Sequence, residues 1–188
     1  MSSLLSISVN IVIPGEILSQ IFAVQTKLST GFSEKRNYDP AGHLSALNKF
    51  MEDEEFGVFT KIITDYFRSV KPFEVTFDHF GKTDGNRYIF LYLEKDSAEK
   101  IMKIHDDLII LTKNIGNETW DAKPSTFAFL PHISMIKLDS SVIDQVLNTL
   151  KNAESKWSFV ATALEVSKEV KVRGEHVGFN RDTVIYLT

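Results

Sequence analysis

The chain has 188 residues, 43% of them hydrophobic, with a formal charge of −4 and no cysteine. A core of ordinary domain size is within its reach, while disulfide frameworks, thiolate metal sites and cysteine nucleophiles are excluded. The acidic balance argues against coating duplex DNA, because that mode of binding needs a dominant basic surface.

Met1 to Pro14 is apolar but has neither the basic start nor the small-residue cleavage site of a secretory signal. No run approaches the roughly 18 uninterrupted apolar residues of a membrane span, so a soluble, cytoplasmic protein without a membrane partner is expected. Ser6 to Pro14 is β-branched and closed by Pro-Gly, which predicts a strand; Glu16 to Leu28 carries Ile17, Ile21, Val24 and Leu28 at helical spacing. After a polar stretch, Gly42 to Leu47 reads as a short extended segment, and Glu54 to Val70 is helical through Phe56, Phe59, Ile63 and Phe67. Phe73 to Phe80 and Tyr88 to Leu93 form a hairpin around Asp84-Gly85.

The second half repeats this order. A helix is expected over Ser97 to Ile115, started by Asp96-Ser97 as N-cap and stopped by Gly116. A short strand over Leu130 to Ile136, a helix over Ser140 to Ala153, a strand over Trp157 to Val170 and a last strand over Thr183 to Leu187 complete the chain. Two units that mix strands and helices in similar order predict an α+β fold with internal pseudo-symmetry. Residues 1–188 are read as one two-lobed domain.

Two of the five histidines share a local frame, His43-Leu44-Ser45 and His132-Ile133-Ser134. On a strand the imidazole and the hydroxyl of each triplet face the same side, roughly 6–7 Å apart, while the aliphatic residue between them enters the core. Given the composition, two such triplets arise by accident in roughly 1–2% of shuffled chains. In-line displacement at phosphorus needs one group that takes a proton from the attacking oxygen and one that gives a proton to the leaving oxygen, and two histidines do both near neutral pH. Serine hydroxyls beside them donate to the non-bridging oxygens as charge builds. Either histidine fits either role.

With its two His-x-Ser motifs 89 positions apart and an opening strand and helix over Ile7 to Leu28, the chain resembles the 2H phosphoesterase superfamily along its whole length. That superfamily includes LigT-type RNA 2′,5′-ligases and cyclic nucleotide phosphodiesterases. The resemblance implies a LigT-like α+β fold, two pseudo-symmetric lobes of antiparallel sheet with flanking helices around a central groove, with His43 and His132 as the catalytic pair, Ser45 and Ser134 as phosphate ligands, and Lys137 at the basic position after the second motif. It implies no cofactor and no metal, a nucleotide or short RNA as substrate, and hydrolysis of a 2′,3′-cyclic phosphate, an ADP-ribose cyclic phosphate or a 2′-5′ bond by a monomer. An RNA 2′-5′ ligase, or a non-catalytic nucleotide-binding module on the same fold, is the alternative. Asn48 and Lys49 depart from the apolar continuation expected after the first motif.

Other residues carry plainer readings. His79 is placed on the face of Phe73, Val75 and Phe77 as a boundary residue, His105 on a helix surface beside Asp106 and Asp107, and His176 in a loop. Lys49, Lys137, Arg173 and Arg181 are the basic candidates for a phosphate or ribose groove, and Phe127, Phe129 and Phe179 the candidates for stacking on a base. No third histidine or carboxylate lies at recognisable metal-ligand spacing from the motifs.

Overall fold

The computed structural model describes residues 4–31, 42–82, 87–118, 129–153, 155–172 and 175–188, the side chains of 170–172 and 175–179 excepted. The elements run β1 (Leu5–Ile11), α1 (Gly15–Gly31), β2 (Leu44–Met51), α2 (Asp53–Phe67), β3 (Phe73–Gly81), β4 (Tyr88–Leu93), α3 (Lys95–Leu111), β5 (Asn117–Glu118), β6 (His132–Lys137), α4 (Ile143–Leu150), β7 (Ser158–Ala161), β8 (Ala163–Val172) and β9 (Glu175–Tyr186). Two sheets result, one ordered β5-β2-β1-β8-β9 and the other β6-β4-β3-β7, and every strand pair is antiparallel. This is the expected mixed fold with one motif in each sheet. None of the described helices is long and apolar enough to cross a membrane.

The helices follow their apolar spacing. In α2, Phe59, Ile63 and Phe67 are fully buried along one stripe, each such side chain contributing about 1.5–3 kcal/mol over its exposed state. What the periodicity does not disclose is an exchange of helices. Helix α1, which follows β1 of one sheet, packs on β6 of the other, and α3, which follows β4 of the second sheet, packs chiefly on β2 of the first, whereas α2 lies against β9 and α4 against β3 and β4.

Several sequence expectations are corrected. The strand expected over Trp157 to Val170 divides at Thr162, because β7 pairs with β3 in one sheet while β8 pairs with β1 in the other. The last strand is longer than Thr183 to Leu187, since β9 pairs with β8 along its length. Helix α3 begins before Asp96-Ser97, with Glu94 as N-cap and no side-chain cap bond; the Ser97 hydroxyl instead accepts the Thr76 N–H at 2.9 Å. The helix also ends earlier, at Leu111. Its C-terminal carbonyls meet Lys49, which is 1% exposed and donates from Nζ to Thr112 O at 2.5 Å and Ile115 O at 2.6 Å. Lys49 is thus committed to the helix end rather than to a phosphate groove. Gly116 follows with φ +62°, and a Cβ there would meet Phe50 O at 2.4 Å, so only glycine fits.

Candidate active site

Each motif strand carries a β-bulge at the residue after its serine. Asn10 pairs with Ser45 and Val9 with Leu47, which leaves Ala46 extra; Phe90 pairs with Ser134 and Ile89 with Ile136, which leaves Met135 extra. The extra residue reverses the parity of the strand. Ala46 and Leu47 are therefore buried in succession, as are Met135 and Ile136, and the position five beyond each histidine returns to the histidine's face. Lys137, opposite Tyr88, thereby joins His132 and Ser134, and Asn48, opposite Ser8, takes the equivalent place beside Ser45.

Buried polar side chains from the exchanged helices hold these bulges. Gln25 of α1 donates from Nε2 to Ser134 O at 3.1 Å. His105 of α3 is 3% exposed, and its Nδ1 lies 2.8 Å from Ala46 O; because a carbonyl only accepts, that nitrogen carries the proton. The imidazole also stacks on Phe129 with centroids 3.9 Å apart and planes 7° apart. The surface reading of His105 is thereby overturned: its neighbours Asp106 and Asp107 suggest water, but Ile101, Ile104 and Leu108 set the buried stripe on which it falls. Phe129 is likewise engaged with His105 rather than free to stack on a base.

His43 lies just before β2, after Gly42 at φ +33°. A Cβ on Gly42 would sit 3.7 Å from Ile133 Cγ2, in van der Waals contact, so the entry to the first motif abuts the second. His132 opens β6 directly opposite Tyr92. Its Nδ1 donates to Leu130 O at 2.6 Å, which leaves Nε2 to carry the lone pair of the neutral ring. Burial, chiefly, pushes the His132 imidazole below the ordinary histidine value; the charge of His43 adds to the shift and the Leu130 carbonyl opposes it. The two imidazoles therefore lie within electrostatic reach of one another.

The surroundings of the two motifs differ. Ser45 Oγ donates to Asn10 Oδ1 at 3.0 Å, Ser8 Oγ donates to the same oxygen at 2.6 Å, and the two hydroxyls are 3.3 Å apart. Around His132 stand rings: Phe90 edge-on at 4.2 Å between centroids, Tyr92 at 6.1 Å and, beyond Tyr92, His79 at 5.3 Å. His79 reaches Tyr92 because a bulge between Phe77 and His79 turns it off the face of Phe73, Val75 and Phe77, which corrects its expected placement. Lys137 lies over the Tyr88 ring at 5.4 Å. Arg181 is paired with Glu165. Arg173 and Phe127 lie outside the described residues, as do the side chains of His176 and Phe179. Among the described residues no three His, Asp or Glu side chains converge on a possible metal position. Sequence reasoning missed Asn10, Gln25 and His105; the polar residues Ser8 and Asn10 within a β-branched strand were the available signal.

The family described as the 2′-5′ RNA ligase superfamily matches residues 18–173. No curated protein is significantly similar in sequence. Among solved structures, apo LigT of E. coli superposes with a TM-score of 0.73 at 16% identity, covering 100% of this chain and 99% of LigT. A protein described as a phosphoesterase gives 0.73 at 18% identity with 99% of both chains covered, and a Thermus thermophilus protein gives 0.69 at 16% identity with 97% of both. Other E. coli LigT structures of similar likeness hold 3′-AMP, phosphate or NADP+.

Proposed function

Since the chain belongs to the 2′-5′ RNA ligase superfamily, we propose that it is a two-histidine phosphodiesterase. It hydrolyses 2′,3′-cyclic, ADP-ribose cyclic or 2′-5′ phosphodiester bonds of RNA-derived nucleotides, as a single two-lobed domain acting as a cytoplasmic monomer. The observation that carries this reading is the approach of two bulged His-x-Ser strands, one from each sheet, where Gly42 before the first motif meets Ile133 of the second. The nucleotides and phosphate held by E. coli LigT support the substrate class.

His132 is the base in the hydrolytic direction. Its lowered pKa keeps it neutral at pH 7, and with Nδ1–H bound to Leu130 O the free lone pair is at Nε2. Nε2 takes a proton from water as the water oxygen attacks phosphorus. The bond from phosphorus to the ribose oxygen breaks, and His43 gives that oxygen its proton. Ser134 donates to a non-bridging oxygen, as does Ser45 once its hydroxyl turns from Asn10 Oδ1 to the phosphoryl group, and Lys137 offsets their charge from the rim. The same sequence with the 5′-hydroxyl of a second RNA fragment in place of water, attacking a 2′,3′-cyclic phosphate and expelling its 3′-oxygen, is ligation, and the family's name favours testing it.

The test is phosphorus NMR of the purified protein in excess chelator with adenosine 2′,3′-cyclic phosphate, ADP-ribose cyclic phosphate, 2′-5′ oligoadenylate, and RNA fragments ending in a 2′,3′-cyclic phosphate. Hydrolysis by wild type that is lost in His43→Ala and in His132→Ala is the expected result. Joining of fragments assigns the ligase. Nucleotide binding without turnover assigns a binding module instead.

A further inference from the structure

Building on the proposed phosphodiesterase reading, we infer that Asn10 is a further substrate-contacting residue, whose side-chain amide donates to a non-bridging phosphoryl oxygen beside Ser45. Asn10 lies on β1 directly opposite Ser45 and so shares its face. Its Oδ1 accepts both Ser8 Oγ and Ser45 Oγ. Its Nδ2 carries two further donors, and among the described residues neither has an acceptor.

Asn10 is 2% exposed, so its amide is held in place and can meet a new acceptor only from the groove side. Three wholly buried side-chain atoms lack a partner among the described residues, Gln25 Oε1, Thr60 Oγ1 and Trp157 Nε1, and Asn10 Nδ2 is not one of them. The little exposure Asn10 keeps therefore includes Nδ2. An acceptor that enters the groove can reach it there, and an anionic phosphoryl oxygen beside Ser45 fits both its place and its chemistry.

Two neighbours sharpen the assignment. Glu165 faces Asn10 from β8, but its carboxylate accepts Arg181 Nε and Ser167 Oγ, so its charge is largely offset. On the other sheet the position opposite Ser134 is Phe90, which has no donor. The amide therefore gives the pseudo-symmetric groove a direction, seating the phosphoryl oxygens toward Ser45.

The decisive variant is Asn10→Asp, which keeps an oxygen to accept from Ser8 and Ser45 but replaces the two donors by a repelling charge. Inorganic phosphate and 3′-AMP binding should weaken by about ten- to a hundred-fold, and turnover of adenosine 2′,3′-cyclic phosphate should fall at least as far. In wild type, the Asn10 side-chain amide signals in a 15N-labelled sample should move as inorganic phosphate is added, a readout independent of whether the variant folds. An unmoved amide, or an Asn10→Asp protein that binds and turns over as wild type does, overturns the inference. Phosphate binding through Asn10 without turnover of any cyclic nucleotide would instead remove the phosphodiesterase reading and leave this inference standing.

Discussion

Around Ser45 the neighbours are a hydroxyl and an amide; around Ser134 and His132 they are rings. The backbone of the two motifs is the same, down to a bulge after each serine that returns the fifth residue to the groove. The side chains that surround it are not. A polar cluster supplies donors that suit an anion, whereas an aromatic wall excludes water from an imidazole and lowers its pKa. Duplicated geometry with unlike linings is how a two-histidine site can tell base from acid.

The largest expected effect comes from removing either histidine. His43→Ala and His132→Ala should each lower kcat by about 10²–10⁴-fold, measured on whichever cyclic phosphate wild type accepts, with unfolding midpoints unchanged. Next come the serines. Ser134→Ala and Ser45→Ala should each cost about 10²-fold; Ser45→Ala also strands part of the Ser8 and Asn10 network, so it alone should lower thermal stability.

His105→Ala removes the donor to Ala46 O and the stack on Phe129, and should cost about 1–3 kcal/mol in urea denaturation. His105→Gln, which can still donate, should recover part of that. The smallest effect is in pH. A histidine with a lowered pKa stays neutral until the solution falls below its ordinary value, so the acid limb of kcat/KM should lie below that of a free imidazole. Phe90→Ala admits water to His132, and the limb should move upward; a limb that stays put would show that burial by this ring is not the cause.

The triplets His43-Leu44-Ser45 and His132-Ile133-Ser134 were legible because strand alternation needs only local sequence, and the apolar spacing of α2 and β4 was legible for the same reason. The bulges were not. Nothing in Ala46 or Met135 marks a residue without a cross-strand partner, and strict alternation over the odd spacing from His132 to Lys137 puts Lys137 on the wrong face. The local sequence around His105 is ambiguous, because its acidic neighbours point to solvent while its helical phase points inward. The division of the last long strand at Thr162 follows from pairing across two sheets, a long-range property that local alternation cannot carry.

The central claim is that His43 and His132 act on one phosphorus. A double-mutant cycle on kcat/KM with His43→Ala, His132→Ala and the pair tests it most directly. If both act in one displacement, the double variant should be barely slower than the slower single variant. Losses that multiply across the cycle would place the two histidines in separate roles and contradict the shared site.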